Sequence, residues 1–509
     1  MNIHVIDLFA GPGGLGEGFS AYRDIRGRRP FRIAMSVEKE ASAHATLLLR
    51  SFLRKFEREE WPPEYHRLRA GEISREQLFD AWPEQHGAAL EDVLHGPREL
   101  GKDDRLIDQR LKEVTGQKSV DEPWVVIGGP PCQAYSLVGR ARNRGKLDYR
   151  PEDDERNFLY REYLRVLAIA RPAVFVMENV RGMLSAKVGG VQVFNAILED
   201  LRRPGRAVRW RDSLDLEYRI HSLVVEGEDL EPSDYLIKAE DHGVPQARHR
   251  VILLGVRSDI GRPPGLLTRA EGTVPVRSVL KGLPRLRSRV SRGGDSGSRW
   301  KQVVLEGLDR VVRFSSAPRP VVDEMRQWAA RLDASLPIHV SRYPEGRPVI
   351  SGTLPQELKR WITGNSGAVL TGHMARAHMP SDLHRYFYAA CWALCNDDAS
   401  PKTRDFPVVL APDHANWNSG KFADRFRVQS WGAPASTITS HMSKDGHYYI
   451  HPDPSQCRSL TPREAARLQT FPDDYFFEGN RTQQYVQIGN AVPPWLALQI
   501  AKVVHQLLV

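Results

Sequence analysis

Residues 4–16 read HVIDLFAGPGGLG, a short apolar run that breaks into a cluster of glycines. The run His4–Phe9 lacks clean apolar/polar alternation, as expected of a strand covered on both faces. The glycines behind it permit a tight turn and let backbone come close to a ligand. The spacing Gly11-x-Gly13-x-x-Gly16 matches a nucleotide-binding fingerprint. Taken alone it fits NAD, FAD or S-adenosylmethionine, and some such turns bind nothing. A second short strand, RIAMSV at 32–37, ends at Glu38, whose carboxylate suits ribose hydroxyls. Turn and acid together predict a nucleoside cofactor.

Working outward, the same kind of run recurs at Trp124–Ile127 (WVVI), Ala173–Met177 (AVFVM) and Val251–Val256 (VILLGV). All four long runs are expected to be buried parallel strands. Between them, residues 157–170 (NFLYREYLRVLAIA) place Leu159, Tyr163, Leu164, Leu167 and Ala170 at helical spacing, with Asn157 to cap and Pro172 to stop the helix. Strand–helix–strand repetition predicts a doubly wound, Rossmann-like α/β sheet. After Val256, Gly, Pro, Ser and Arg become frequent, and regular alternation returns near Leu460. The expected organisation is a catalytic domain over 1–260, with a charged helical insertion at about 50–120, an inserted smaller domain over 261–440, and a return to the first domain over 441–509. The basic Gly/Ser-rich stretch Arg285–Lys301 reads as a mobile phosphate-meeting loop or as a solvated linker.

In open α/β sheets, ligands bind beyond the carboxyl ends of strands. The run at 124–127 leads into Gly128-Gly129-Pro130-Pro131-Cys132-Gln133, which forces an irregular exposed turn and offers a thiolate nucleophile. The run at 173–177 leads into Glu178, where partial burial is expected to favour the acid form. One crossover helix separates Cys132 from Glu178, and a right-handed βαβ unit puts both on one sheet edge. Gln246-Ala247-Arg248-His249-Arg250 precedes the last run, and its two guanidinium groups suit Glu178, a pyrimidine oxygen or a phosphate. Thr461-Pro462-Arg463-Glu464 is a capping-box pattern that starts a structural helix. Gln487-Ile488-Gly489-Asn490 is read as a polar turn before a final apolar helix.

The bulk composition is consistent with this reading. The net charge of +9 over 509 residues suits a polyanionic partner or merely a basic solvated surface. Four scattered cysteines argue against a disulfide framework and for a reducing compartment. Cys391 and Cys395 are expected to be buried structural thiols on one helix face, and no metal site is expected. MNIHVIDLF has no signal-peptide character, and no window reaches the roughly 18 apolar residues of a membrane span. The expected setting is cytoplasmic, without membrane partners.

With these residues in place, the chain resembles the DNA (cytosine-5)-methyltransferases. DLFAGPGG, VEKE, GGPPCQAYS, MENV, QARHR, LTPREAARLQTFPDDY and QIGNAVP occur in that family's order, over about half of the chain. The resemblance implies S-adenosylmethionine as methyl donor, S-adenosylhomocysteine as product and double-stranded DNA as substrate. It implies Cys132 as nucleophile, Glu178 as its acid partner, Arg250 at the target base and Arg248 in support. Phe9, Gly11, Pro12, Gly13, Gly14, Leu15, Glu38, Lys39, Pro131, Asn490 and Val492 would line the cofactor site. Asp92 stands in for the family's acidic contact after the third strand, although here it falls within the extra segment, and Lys39 replaces the usual bulky apolar residue. Ser136, Arg140, Arg142 and Arg144, in the loop after Cys132, would meet DNA. The inserted domain falls where the family carries target recognition, with Arg342, Arg376, His378, Arg385 and Asn416 as candidate base readers. A restriction-modification or phage-defence role follows by the same resemblance, with a cognate nuclease or defence proteins as partners and a monomeric state. The alternatives are an RNA cytosine-5 methyltransferase, a catalytically silent DNA-binding protein and, from the glycine turn alone, an NAD-dependent oxidoreductase.

Overall fold

The computed structural model describes residues 2–57, 60–116, 123–131, 155–188, 191–350, 352–413, 417 and 424–509. Its centre is a seven-stranded sheet: β1 (Ile3–Leu8), β2 (Phe31–Val37), β3 (Trp124–Gly128), β4 (Val174–Val180), β5 (Tyr218–His221), β6 (Leu236–Lys238) and β7 (His249–Arg257). The order is β2-β1-β3-β4-β7-β5, with β6 also pairing with β7. Strands β2, β1, β3 and β4 run parallel. Strand β7 runs antiparallel to β4, opposing Arg250 to Val180 and Ile252 to Glu178. The parallel expectation for Val251–Val256 is therefore corrected. Apolar character reports burial on both faces but not strand direction. The reversal also has a geometric consequence, because a parallel strand would start at the opposite edge and carry Arg250 away from Glu178.

Side chains alternate between two cores. Val5, Val125, Ile127, Val174, Val176 and Ile252 face a layer built with helix α1 (Gly14–Ala21) and the C-terminal helix. Ile6, Leu8, Val126, Phe175, Met177 and Leu253 face the opposite layer. Helix α2 (Ala41–Leu53) follows β2, and the extra segment forms α3 (Pro63–Arg69), α4 (Arg75–Ala81), α5 (Pro83–Asp92) and α6 (Asp104–Gly116). Helix α7 (Glu155–Ala170) crosses from β3 to β4, and α8 (Val193–Arg202) follows β4.

Beyond β7 lie α9 (Gly297–Phe314), α10 (Arg319–Ala330), α11 (Gln356–Thr363) and α12 (Pro380–Cys395). Helices α9, α10 and α12 share a core around Trp300, Val304, Met325, Leu383 and Phe387. The stretch Arg285–Lys301 is ordered: Arg287 and Asp295 pair at 2.8 Å, and Ser296 caps α9. Arg285, Arg299 and Lys301 reach Asp453, Glu306 and the Leu332 carbonyl, contacts that composition alone does not reveal. Cys391 is buried, but Cys395 is exposed at the end of α12, so the two thiols do not share one environment.

The last segment carries α13 (Pro462–Leu468), α14 (Arg481–Asn490) and α15 (Pro494–Leu508). Thr461 and Glu464 form the expected capping box. Gln487–Asn490 is the last turn of α14 rather than a free polar turn, and its Gln487 is buried against α2 through Thr46 Oγ1 at 2.7 Å. Ala435 and Ile438 share one hydrophobic cluster with Leu460 and Phe471. Packing is thus continuous across position 441. Among the described residues, no helix is long and apolar enough to cross a membrane.

Candidate active site

The glycine turn forms because the backbone after β1 leaves the ordinary helical and extended regions. Phe9, Gly11 and Gly13 have φ of 55°, 57° and 93°. Nothing lies within 4 Å of where a side chain at Gly11 would start. At Gly14 the reverse holds: an added Cβ would stand 2.4 Å from the Val492 carbonyl oxygen. The segment linking α14 to α15 is therefore pressed against the turn through Ala491 and Val492, and Asn490 is exposed at the end of α14. Pro12, Gly13, Gly14 and Leu15 are buried in the turn, and Phe9 is half-buried. Tyr475 Oη donates to the Pro12 carbonyl and fixes the turn from below.

Glu38 closes the other side. Its carboxylate accepts from Gly11 N at 2.8 Å and Glu40 N at 2.7 Å. Burial raises its pKa, and these amide hydrogen bonds oppose the rise. Lys39 is exposed and paired with Glu99 at 3.0 Å. Asp92 is engaged elsewhere: it accepts from Ser51 Oγ at 2.7 Å and from Lys55. Through Oδ2, Asp92 links α5 to Ser51 of α2 and to Lys55.

At the adjoining strand ends, Glu178 Oε1 lies 2.9 Å from Arg250 Nε, both side chains being mostly buried. The burial expected for Glu178 is thus accompanied by a counter-charge. A Cβ at Gly129 would be 2.9 Å from Glu178 Oε2, so the lack of a side chain there admits the carboxylate to the β3 end. Asn179 Nδ2 donates to the Pro130 carbonyl at 3.2 Å, tying that end to β4. Pro131 is half-buried at the last described position. Cys132, Ser136, Arg140, Arg142 and Arg144 lie outside the described residues.

Arg248 is buried and donates to the carbonyls of Ile438 (2.8 Å) and Gly489 (3.3 Å). Burial, reinforced by neighbouring Arg250, lowers its pKa to about 9, which leaves it charged at neutral pH. Gln246 does the same work with a neutral amide. Its Nε2 donates to Gln469 Oε1 at 2.8 Å, and its Oε1 accepts from Ile438 N at 2.7 Å. Gln469 Nε2 in turn donates to the Ile488 carbonyl at 2.7 Å. Sequence reasoning gave no roles to Asn179, Gln246 and Gln469. Their signal was adjacency to Glu178 and Arg248 and amide side chains inside apolar surroundings.

Among the candidate base readers, three are corrected. Arg376 is buried, donates to the Ser443 carbonyl and lies over the Tyr485 ring. His378 is buried and bonded to Ser459 Oγ, and burial holds it well below its usual pKa. Arg385 is buried and spends its guanidinium on Leu410 O and Asp382. Arg342 is exposed, within 3.7 Å of Glu72. Asn416 lies outside the described residues.

The sheet, the glycine turn with its facing carboxylate, and the acid at the neighbouring strand end form an α/β architecture suited to a nucleoside cofactor beside a carboxyl group. Residues 102–264 and 380–506, more than half of the chain, match the family described as C-5 cytosine-specific DNA methylase. The type II methyltransferase M.Bpa9945I of Bacillus paralicheniformis is 32% identical over 99% of both chains. The DNA (cytosine-5-)-methyltransferase M.ApeKI of Aeropyrum pernix is 28% identical over 78% of this chain and 84% of its own. The type II methyltransferase M.AgeI of Thalassovita gelatinovora is 26% identical over 75% and 82% respectively. The chain belongs to the C-5 cytosine-specific DNA methylase family, and it is a DNA (cytosine-5) methyltransferase. Membership implies S-adenosylmethionine as donor. The open space at Gly11 and the glutamate bonded across the turn fit a nucleoside there.

Proposed function

We propose that Cys132 and Glu178 methylate C5 of a cytosine flipped out of double-stranded DNA. The ring carbon C5 is a poor nucleophile. A thiolate from Cys132 forms a bond to C6, and the electron pair displaced from the C5–C6 double bond is stabilised by the Glu178 carboxyl at N3. S-adenosylmethionine would supply an electrophilic methyl on its sulfonium, the C5–methyl bond forming with that electron pair as the sulfur–methyl bond breaks to leave S-adenosylhomocysteine. C5 then gives up its proton to a base, the sulfur–C6 bond breaks, and the double bond re-forms. Arg250 holds Glu178 and meets the base; Arg248 fixes the strand start from behind. The observation that carries this reading is the Glu178 carboxylate at the β3 end, against Gly129 and within 2.9 Å of Arg250, three residues before Cys132.

Phe9, Gly11–Leu15, Glu38, Pro131, Asn490 and Val492 would hold the donor. The segment 261–440 would read the DNA site, and Ser136, Arg140, Arg142 and Arg144 would contact the opened duplex. Flipping costs a few kcal/mol, which those contacts offset. The setting we infer is the bacterial cytosol, with a monomeric enzyme protecting host DNA beside a cognate nuclease, in keeping with the type II relatives.

DNA carrying 5-fluorocytosine at the target tests the chemistry, because fluorine blocks proton loss. With donor present, the wild type should form a covalent adduct stable to denaturing electrophoresis. Cys132→Ser should form none and transfer no methyl group while still binding donor. An adduct in Cys132→Ser, or turnover like wild type, removes Cys132 from the nucleophile's role.

A further inference from the structure

Apart from Asp92, helices α3 to α6 carry none of the candidate site residues above, yet α3 ends in a deeply engaged arginine. Arg69, 5% exposed, donates from Nη1 to the Ser366 carbonyl at 3.0 Å and from Nη2 to Val369 O at 3.0 Å and Asp473 O at 3.3 Å. One turn earlier, Tyr65 Oη donates to the Asp474 carbonyl at 2.5 Å. A single short helix thus reaches a loop within 261–440 and a turn of the C-terminal segment.

The loop it reaches is otherwise shaped by backbone. Gly364, with φ +49°, ends α11, and a Cβ there would stand 2.2 Å from Asp474 Oδ2. Asn365 N donates to the same oxygen at 2.6 Å. On its far side, Tyr343 N donates to Ala368 O and Leu370 N to Ser341 O, both at 2.8 Å. At the rim, Glu72 lies 3.7 Å from Arg342.

The opposite face of the insertion is anchored beneath the cofactor half. Trp61, Tyr65, Leu78 and Phe79 form one core with Leu47, Leu49 and Phe52 of α2. Arg50 of α2 lies over the rings of Trp61 and Tyr475 and pairs with Glu17 of α1 at 2.6 Å. The insertion therefore spans from the helices behind the glycine turn to the 364–370 loop.

We propose that the helical insertion is a brace for DNA recognition, with Arg69 as a positioning residue that holds the 364–370 loop against the cofactor half and so sets affinity for duplex DNA. This rests on reading 261–440 as the recognition segment. Arg69→Ala in the full chain should speed amide hydrogen exchange across 364–370 by about tenfold. It should raise KM for duplex DNA about tenfold, the scale of one lost charge-assisted hydrogen bond. Donor Kd and kcat at saturating DNA should stay near wild type. Arg69→Lys should recover part of the affinity, and Leu78→Ala, which loosens the insertion's core away from the loop, should leave KM for DNA unchanged. Unchanged exchange in Arg69→Ala overturns the brace. Faster exchange with unchanged KM overturns the recognition reading of the segment, and the proposal with it. A KM rise in Leu78→Ala equal to that in Arg69→Ala would mean general loosening and would also overturn it. Should Arg69→Ala fail to fold, Arg69→Lys carries the test, with a KM rise of about threefold expected and none overturning the proposal.

Discussion

The two halves of the sheet edge handle negative charge in opposite ways. At the β1/β2 ends, Glu38 accepts from neutral backbone amides, and Asp7 within β1 has no hydrogen-bond partner of good geometry among the described residues. At the β4/β7 ends, Glu178 is matched by the guanidinium of Arg250. At the β1/β2 ends Arg54 opposes the burial of Asp7 without overcoming it, and a cationic sulfonium donor would add positive charge there. A carboxyl group that meets a neutral pyrimidine belongs where its charge is already balanced and its position fixed. The strand directions follow the same division. Parallel strands bring their turns to the edge, whereas antiparallel β7 begins there and delivers arginines.

The sharpest way to break this comparison is at Glu178. Glu178→Gln keeps the shape but turns one acceptor oxygen into an amide donor and removes the charge facing Arg250. The expected outcome is a fall in kcat of about 10²–10⁴-fold, the range of a lost general acid, with donor Kd unchanged. Single-turnover methylation and donor titration separate the two. Should donor affinity fall as far as the rate, the halves are not independent.

Gly14→Ala probes the other half. The added methyl would meet the Val492 carbonyl at 2.4 Å and Ala491 Cβ at 3.2 Å. Backbone has no rotamer to relieve the contact, so α14 and α15 must shift away from the turn. Overpacking of this kind costs about 1–3 kcal/mol. Donor Kd should rise about tenfold, equivalent to roughly 1.4 kcal/mol. Tm should drop by a few degrees, while adduct formation at saturating donor should persist. Calorimetric donor titration checks the first effect. A variant with wild-type donor affinity would show that the α14–α15 link does not form the site.

Sequence made the first half legible and the second only partly. Glycines are informative because few other residues tolerate φ near +57° or an approach of 2.4 Å, so their spacing carries geometry directly. Glu178 was legible for a similar reason: a carboxylate at the end of an apolar strand has few places to go. Strand direction in β7 was not, since burial on both faces writes the same apolar pattern either way. The buried Arg376, His378 and Arg385 were misread for a related reason. Polar side chains in a basic segment look solvent-facing until the partners that satisfy them, such as Ser443 O, Ser459 Oγ and Leu410 O, are known. Those partners lie 25 to 81 residues away in the chain, beyond any local pattern.

The remaining prediction concerns Asp7, a buried carboxyl group within β1. The side chain is 1% exposed, and a Cβ on Gly16 would fall 2.8 Å from its Oδ2. Burial raises its pKa to about 7; nearby Arg54 and the Gly16 amide oppose this, and Glu38 adds to it. The folded protein therefore keeps this proton at pH values where the unfolded chain, with an aspartate pKa of about 3.9, has released it. Stability from Asp7 is whole below that unfolded value, declines as pH rises, and is lost above about 7. Wild-type Tm should accordingly fall between pH 5 and pH 8 by more than that of Asp7→Asn, which carries a neutral side chain of the same shape throughout. The two proteins should differ least near pH 5, with the variant the more stable at pH 8. Parallel slopes for the two in thermal melts would mean that Asp7 finds a matched partner when folded, and the contrast between the two halves of the edge would then reduce to Glu38 alone.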